Sequence, residues 1–301
     1  MTVAFLLLPG VHLLDLAGPA QVFSTAVDLG LGYHLRYLAE QPEVASAQGL
    51  PVRAEVAWPA LGHGDLLLVP GWRSPRLAPA PPLATATLGR VAAHHAAGGT
   101  VASVCSGAHV LGAARLLDGR RCTTHHELQD MLAARYPRAR VVRDVLYVED
   151  RRVITSAGIA SGIDLALHLL AVRHGPALAA QVARQMVVYA RRNGDEQQAS
   201  AMLRYRSHLS DPVHRAQDLI DSRFADRLPL ADLAAAGGVS ERTLTRLFEA
   251  AIGQTPLRYQ QSLRVERAEH LLGHGATVEA AARAVGFADA RMLRRLRHRV
   301  I

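Results

Sequence analysis

The residue with the clearest chemical potential is Cys105, which lies between a β-branched run and a helical segment in GGTVASVCSGAHVLGAARLLDG. A sharp strand-to-helix turn exposes a side chain at the carboxyl end of a strand, where open parallel sheets bind their ligands. A thiol at a helix N-terminus feels the positive end of the helix dipole, which favours the nucleophilic thiolate. A buried, inert cysteine is the alternative. The position of Cys105 at this strand-to-helix turn, which we call the elbow, favours a functional thiol.

The histidine pair His125 and His126, followed by Glu127, raises the question of a metal site. Adjacent histidines lack the spacing that converges three ligands on one ion, so surface or structural histidines are favoured over metal ligands. The sequence also contains no GxGxxG or phosphate-binding loop, so nucleotide binding has no support. We therefore expect neither a metal ion nor a cofactor.

Length and charge indicate two domains, one of which contacts nucleic acid. The chain has 301 residues, which exceeds the usual span of one compact domain. Its net charge is +8, and all 34 basic residues are arginine. The stretch 283–299 has six arginines against one acid, Asp289, which is typical of a surface that contacts phosphates. A solvated helix face is the alternative interpretation.

The sequence gives no indication of export or membrane insertion. With only two cysteines it has no disulfide framework. The segment MTVAFLLLPG has no basic leader and resembles a buried strand rather than a signal peptide. No apolar run reaches membrane-spanning length. We therefore expect a cytoplasmic protein without membrane contact.

Two regions with different periodicity divide the chain. Residues 1–189 alternate β-rich runs with helical patterns, which predicts a parallel sheet covered by helices on both faces. The predicted strands include VAFLLL, YHLRYLA, DLLLVP and TVASV, and VVRDVLYVEDRRVITSAG predicts a hairpin that leads into a further strand. The polar, weakly patterned segment 190–209 predicts a linker. Residues 210–301 then follow an all-helical pattern.

The second region contains a helix-turn-helix pattern twice. In LPLADLAAAGGVSERTLTRLFEAAIG, a short helix, a Gly-containing turn, the N-cap Ser240 and a second helix follow one another. TVEAAARAVGFADARMLRRLRHR repeats this order, and PLRYQQSLRVERAEHLLG supplies a longer helix between the copies. A helical hairpin that only packs or dimerises is the alternative. That alternative does not explain two copies.

Four blocks of the first region resemble the ThiJ/PfpI group of class I glutamine amidotransferase-like proteins. The blocks are LLLPGVHLLDLAGPAQVF, LLLVPG, VCSGAHVLGAARLLDGRRCTTH and ITSAGIASGIDLALHLL. The resemblance implies an α/β fold, a flavodoxin-like parallel-sheet sandwich, which is followed here by the all-α helix-turn-helix domain.

The same resemblance implies roles for individual residues. Cys105 is the expected reactive residue, and Asp15, from the loop after the first strand, is the acid that points at its thiol. Ser106 and the backbone of Gly71, which would face an oxyanion, complete the expected effector-binding site. His125 resembles a histidine that lies near the thiol in some relatives, so it joins Cys105 and Asp15 as a catalytic candidate.

The second region resembles the DNA-binding module of the AraC/XylS family, in which a long helix joins two helix-turn-helix units. The resemblance implies promoter DNA as a partner. The expected DNA contacts are Glu241, Arg242, Thr243 and Arg246 in the first unit and Arg291, Arg294 and Arg295 in the second. The connecting helix matches the family pattern R-x-x-x-A-x-x-L-L, which begins here at Arg264.

The second unit departs from the family pattern at Arg297, which occupies the position that Phe248 has in the first unit. A charge buried without a partner at a core position is strongly destabilising. The closing helix that usually follows is also missing before Ile301. The second unit is therefore predicted to be truncated and frayed, and a disrupted reading frame is an alternative explanation.

Together, the two resemblances are to GlxA-type transcriptional regulators. They imply a regulator rather than an enzyme, whose first domain senses a small metabolite that is amine- or amino-acid-derived. They also imply a homodimer formed through the first domain, and RNA polymerase is a candidate partner. Two alternatives stay open: a cysteine-dependent hydrolase or isonitrile-hydratase-like enzyme, and a sensor in which oxidation of Cys105 is the signal.

Overall fold

The chain forms two compact units, residues 1–198 and 199–301. The computed structural model describes residues 1–73, 81–158, 160–188, 192–195, 198, 205–206, 208–273 and 275–297, and the backbone alone for 298–300. Much of the predicted linker 190–209 lies outside the described residues. Each unit is described by itself.

The first unit is built on a six-stranded sheet. The strands of this unit are β1 (Thr2–Leu6), β2 (His34–Leu38), β3 (Glu43–Ala45), β4 (Pro51–Arg53), β5 (Leu66–Val69), β6 (Thr100–Val104), β7 (Arg121–Cys122), β8 (Arg140–Val141), β9 (Tyr147–Asp150) and β10 (Val153–Ser156). The order in the large sheet is β2-β1-β5-β6-β10-β9. All neighbours are parallel except β9 and β10, which form the predicted hairpin.

Helices cover both faces of this sheet, which confirms the predicted α/β sandwich. They are α1 (Leu13–Asp28), α2 (Thr85–Ala96), α3 (Ala108–Ala113), α4 (Gln129–Arg135), α5 (Ser161–His174) and α6 (Pro176–Gln185). Alternate strand residues face opposite cores: Phe5 and Leu68 lie in one, Leu6 and Leu67 in the other. Strands such as β1 and β5 therefore have continuous apolar runs, since neither of their faces meets water.

The strand order decides where chemistry can occur. Because β1, β5 and β6 are parallel neighbours, the segments that follow their carboxyl ends meet at one edge of the sheet. These segments contain the start of α1, the turn at Gly71 and Cys105. The sheet thus brings together three stretches that lie far apart in the sequence.

The second unit contains two helix-turn-helix units. Its helices are α7 (Asp211–Ser222), α8 (Leu230–Gly237), α9 (Glu241–Ile252), α10 (Pro256–Gly273), α11 (Val278–Ala284) and α12 (Ala290–Val300). The first turn contains Gly238 at φ +69°, and the Ser240 hydroxyl accepts a hydrogen bond from the Thr243 amide to cap α9. None of the described helices in either unit is long and apolar enough to cross a membrane.

The second helix-turn-helix unit has its own core, and the unpaired buried charge expected at Arg297 is not present in it. Arg297 lies partly exposed, and its guanidinium donates two hydrogen bonds to the Glu269 carboxylate on α10, at 2.5 and 3.2 Å. The aromatic side chain of this core comes from the turn, where Phe287 packs with Val285 and Leu293. Arg297 therefore introduces no buried charge without a partner.

Candidate functional site

Cys105 occupies a strained elbow directly after β6. Its φ is +54°, and the chain then makes one 3₁₀ turn, Cys105–Gly107, before α3. The left-handed conformation costs a non-glycine residue about 1–2 kcal/mol. Two glycines allow the close packing that holds it: a Cβ on Gly107 would lie 2.1 Å from the Val69 carbonyl oxygen, and one on Gly158 would lie 2.4 Å from the Cys105 Cβ.

Asp15, Gly71, Cys105 and Ser106 lie together at the predicted site. A Cβ on Gly71 would lie 2.3 Å from Asp15 Oδ2, 2.8 Å from Cys105 Cβ and 3.1 Å from Ser106 Oγ. The Cys105 thiol hydrogen-bonds with the Asp15 side chain, which is completely buried. Asp15 lies in the first turn of α1 and not in a loop, which corrects the expectation for this residue, because the helix begins at Leu13.

The thiol is held in its protonated form. Burial, which is the largest cause, and the Asp15 charge together raise the pKa of Cys105 to about 12, and the Ser106 backbone amide only partly opposes this rise. The direction of this shift is opposite to the effect expected from the helix dipole. Loss of water around the sulfur and a carboxylate in contact with it outweigh the short helix that follows.

Ser106 fastens the elbow to the segment after β5. Its hydroxyl accepts a hydrogen bond from the Trp72 amide at 2.8 Å and donates one to the Trp72 carbonyl at 3.0 Å. The Gly71 carbonyl accepts a hydrogen bond from the His12 amide at 2.9 Å. Ser106 is thus a positioning residue, because it holds the Gly71 turn against the thiol.

His125 is not brought into hydrogen-bond contact with the thiol among the described residues. The contact from this part of the chain comes from Thr124, whose hydroxyl donates to the Cys105 carbonyl at 2.7 Å. His125 Nδ1 lies 3.8 Å from Glu127 Oε2, and burial lowers the pKa of His125. The geometry does not provide the thiol with the base that the resemblance suggested.

Two described residues that the sequence assigned to the linker, Arg192 and Gln198, contact residues of the first unit. The side-chain amide of Gln198 donates to the Thr124 carbonyl and to the Val145 carbonyl, each at 3.0 Å. Arg192 pairs with the buried carboxylate of Asp164, at 2.7 Å. These described residues therefore belong to the first unit and not to a linker. Polar residues without periodicity gave no sequence signal for this contact.

The candidate DNA-contacting residues of the first helix-turn-helix unit lie on α9. Glu241, Arg242 and Arg246 are exposed. Thr243 is half-buried, and its hydroxyl lies 2.9 Å from the Ser240 hydroxyl at the cap of the helix. Three of the four predicted residues can thus reach a ligand outside the unit, whereas Thr243 helps to begin the helix.

The candidate DNA-contacting residues of the second helix-turn-helix unit lie on α12. Arg291, Arg294 and Arg295 are all exposed. Arg294 pairs with Glu279 of α11 at 2.9 Å, with both side chains more than half exposed. Such surface pairs contribute about 0–1 kcal/mol, so a phosphate group can displace the carboxylate at little cost.

Comparisons with known proteins agree with both halves of the chain. Residues 1–172 match the DJ-1/PfpI family, and residues 233–301 match a helix-turn-helix domain. The HTH-type transcriptional regulator CdhR of Pseudomonas aeruginosa is 32% identical over 273 residues, which cover 89% of this chain and 79% of CdhR. The isonitrile hydratase of Pseudomonas putida is 37% identical over 174 residues, 56% of this chain and 70% of that enzyme.

A solved structure of an AraC family transcriptional regulator from Pseudomonas putida superposes with a TM-score of 0.55 and 27% identity. The superposition covers 62% of this chain and 98% of the solved chain. The chain belongs to the DJ-1/PfpI family. More particularly, it is a transcriptional regulator in which a DJ-1/PfpI domain is followed by an AraC-type helix-turn-helix domain. Both resemblances drawn from the sequence are confirmed.

Proposed function

We propose that the DJ-1/PfpI unit is a sensor for a small molecule and that it controls promoter binding by the second unit. The observation that carries the proposal is the buried thiol of Cys105 in contact with the buried Asp15 side chain, on a chain that also carries a DNA-binding domain. A nucleophilic enzyme needs an activated thiolate, so this site is better suited to binding than to turnover.

The proposed effector is an amine or an amino-acid derivative that binds beside Asp15, Gly71, Cys105 and Ser106. The negative charge of Asp15, which raises the pKa of the thiol, would attract a positively charged amine in the same place. Ser106 contributes by holding the Gly71 turn in position.

Replacing Cys105 with alanine should alter the response to effector while leaving DNA affinity without effector within about twofold. The substitution removes the contact with Asp15 but no part of the DNA-binding unit. Binding of the purified protein to DNA upstream of its own gene, with and without a panel of amines and amino acids, measures both quantities. A folded variant that loses basal DNA affinity would contradict the sensor assignment, and turnover of an isonitrile by the wild type would favour the enzyme.

We propose that α9 distinguishes bases and that α12 contacts phosphates. Helix α9 is capped by Ser240 and anchored by the buried Phe248, so Arg242 and Arg246 project from a fixed surface. A bidentate arginine contact distinguishes bases by about 1–3 kcal/mol. The arginines of α12 belong to the most basic stretch of the chain, and phosphate contacts do not depend on sequence.

Alanine at Arg246 and at Arg295 should have different effects on DNA binding. Arg246→Ala should relax the preference at particular base positions, whereas Arg295→Ala should weaken binding to all duplexes and reduce the salt slope, since each lost phosphate contact lowers it by about 0.9. Titration of a promoter duplex and a scrambled duplex between about 50 and 200 mM salt separates the two effects. The assignment is reversed if only Arg295→Ala changes the preference between the two duplexes.

The proposal includes a homodimer formed through the first unit, which acts in the cytoplasm on promoter DNA. Two copies related by a twofold axis would present two DNA-binding units to a repeated promoter site. RNA polymerase is the proposed further partner for activation. Light scattering of the intact chain and of residues 1–198 should give the mass of a dimer in both cases. A monomeric 1–198 fragment beside a dimeric intact chain would place the interface elsewhere.

A further inference from the structure

The guanidinium of Arg264, on α10, binds the backbone of both helix-turn-helix units. Its Nε donates to the Phe224 carbonyl at 2.6 Å, and one terminal nitrogen donates to the Asp226 carbonyl at 2.7 Å. The other terminal nitrogen donates to the Gly286 carbonyl at 2.8 Å. Phe224 and Asp226 lie between α7 and α8, whereas Gly286 lies in the turn between α11 and α12.

The segments that Arg264 joins are in direct contact. Gly286 has φ +81°, and a Cβ there would lie 1.8 Å from the Ala225 carbonyl oxygen. The Arg264 guanidinium also lies over the Phe287 ring, 5.5 Å from its centre. Any rotation of one helix-turn-helix unit against the other would therefore change the contacts of Arg264.

Neighbouring side chains hold the same segment. Gln260, one turn earlier on α10, donates from its side-chain amide to the Phe224 carbonyl at 2.9 Å and to the Asp226 carbonyl at 2.8 Å. The Phe224 side chain packs against the hydrophobic cores of both units. The loop 224–226 is thus a shared element, and Arg264 fixes it to the second turn.

We propose that Arg264 is a positioning residue that sets the separation and orientation of the two helix-turn-helix units, and thereby the distance between the bases that α9 reads and the phosphates that α12 contacts. This inference rests on the proposed DNA contacts of α9 and α12. Two linked DNA-binding units gain affinity from simultaneous binding only when the connection between them matches the spacing of their contact sites on the DNA. A planar guanidinium with five donors can hold carbonyls from two elements at fixed angles, which a lysine ammonium cannot do.

The test selects duplexes from a random library with the full-length wild type and with R264Q, R264K and the control R267Q, which removes an exposed arginine from the same helix. The wild type and R267Q should select the bases that α9 reads and should protect phosphates at one fixed distance from them, which footprinting of the selected duplexes measures. R264Q and R264K should select the same bases but should lose the protection of these distant phosphates. Their affinity for the full duplex should fall about 10- to 100-fold, but their affinity for a duplex shortened to the bases that α9 reads should stay within about twofold of the wild-type value.

Three results would overturn the inference. Wild-type protection of the distant phosphates by R264K would show that charge suffices. An R264Q variant that loses affinity for the shortened duplex, with a salt slope reduced by about 0.9, would make Arg264 a phosphate contact. Equal affinity of the wild type for the full and the shortened duplex would show that no fixed separation of the two helix-turn-helix units is needed. If circular dichroism shows that R264Q is unfolded, the phosphate protection by R264K decides. Failure of the wild type to select any DNA would instead contradict the proposed DNA-binding function.

Discussion

Replacing Asp15 with asparagine should accelerate alkylation of the Cys105 thiol on the order of tenfold, because the neighbouring charge stabilises the protonated thiol. With the pKa of Cys105 at about 12, the thiolate is about 10⁻⁴ of the total at pH 8. Removing the Asp15 charge lowers the pKa of Cys105. The thiolate fraction therefore rises at any pH below this pKa. Burial, the largest cause of the shift, remains, and the variant thiol stays less reactive than an exposed cysteine.

The measurement is the rate of iodoacetamide labelling of Cys105 between pH 7 and 9. Peptide mass spectrometry distinguishes Cys105 from Cys122, which is also a free cysteine. The wild-type rate should rise about tenfold per pH unit, since only the thiolate reacts. Glu127→Gln is the matched control: it also removes a negative charge, but Glu127 contributes least among the causes of the Cys105 shift. Equal rates for the wild type and Asp15→Asn would show that burial alone sets the pKa.

The sheet and the position of the elbow follow from local sequence patterns. Strands buried on both faces, such as β1 and β5, have continuous apolar runs that single them out. Cys105 follows β6 directly, so its place at the carboxyl end of a strand is also visible in the sequence. The state of its thiol is not, because it depends on Asp15, which is far away in the chain and reaches the sulfur only through the order of the strands.

The second helix-turn-helix unit shows a different limit of sequence patterns. Alignment of the repeats places Arg297 opposite Phe248, but the second core takes its aromatic side chain from the turn, at Phe287. The partner of Arg297 is Glu269, on a helix between the repeats. A pattern within one repeat cannot reveal a contact with a residue outside it. The same reason hides the contacts that Gln198 makes with Thr124 and Val145.

Replacing Phe248 with alanine should lower the free energy of unfolding of the DNA-binding unit by about 3–5 kcal/mol, the usual cost of emptying a core position that held a phenylalanine. Phe248 is fully buried, and its ring lies 5.9 Å from the ring of Tyr259, which belongs to α10. The lost contact therefore loosens α9 from the helix that connects the two units. Thermal and urea unfolding of the full chain, followed by circular dichroism, measures the effect.

DNA binding then separates a general loss of stability from the loss of the base-reading helix. Leu257→Ala is the surface control, since this side chain is 63% exposed on α10 and should change unfolding by less than about 0.5 kcal/mol. Phe287→Ala empties the second core instead and should also destabilise the unit. If α9 reads the bases, Phe248→Ala should bind promoter and scrambled duplexes alike, whereas Phe287→Ala should bind both more weakly and keep the preference. A Phe248→Ala variant that retains the preference would mean that the sequence is read by α12.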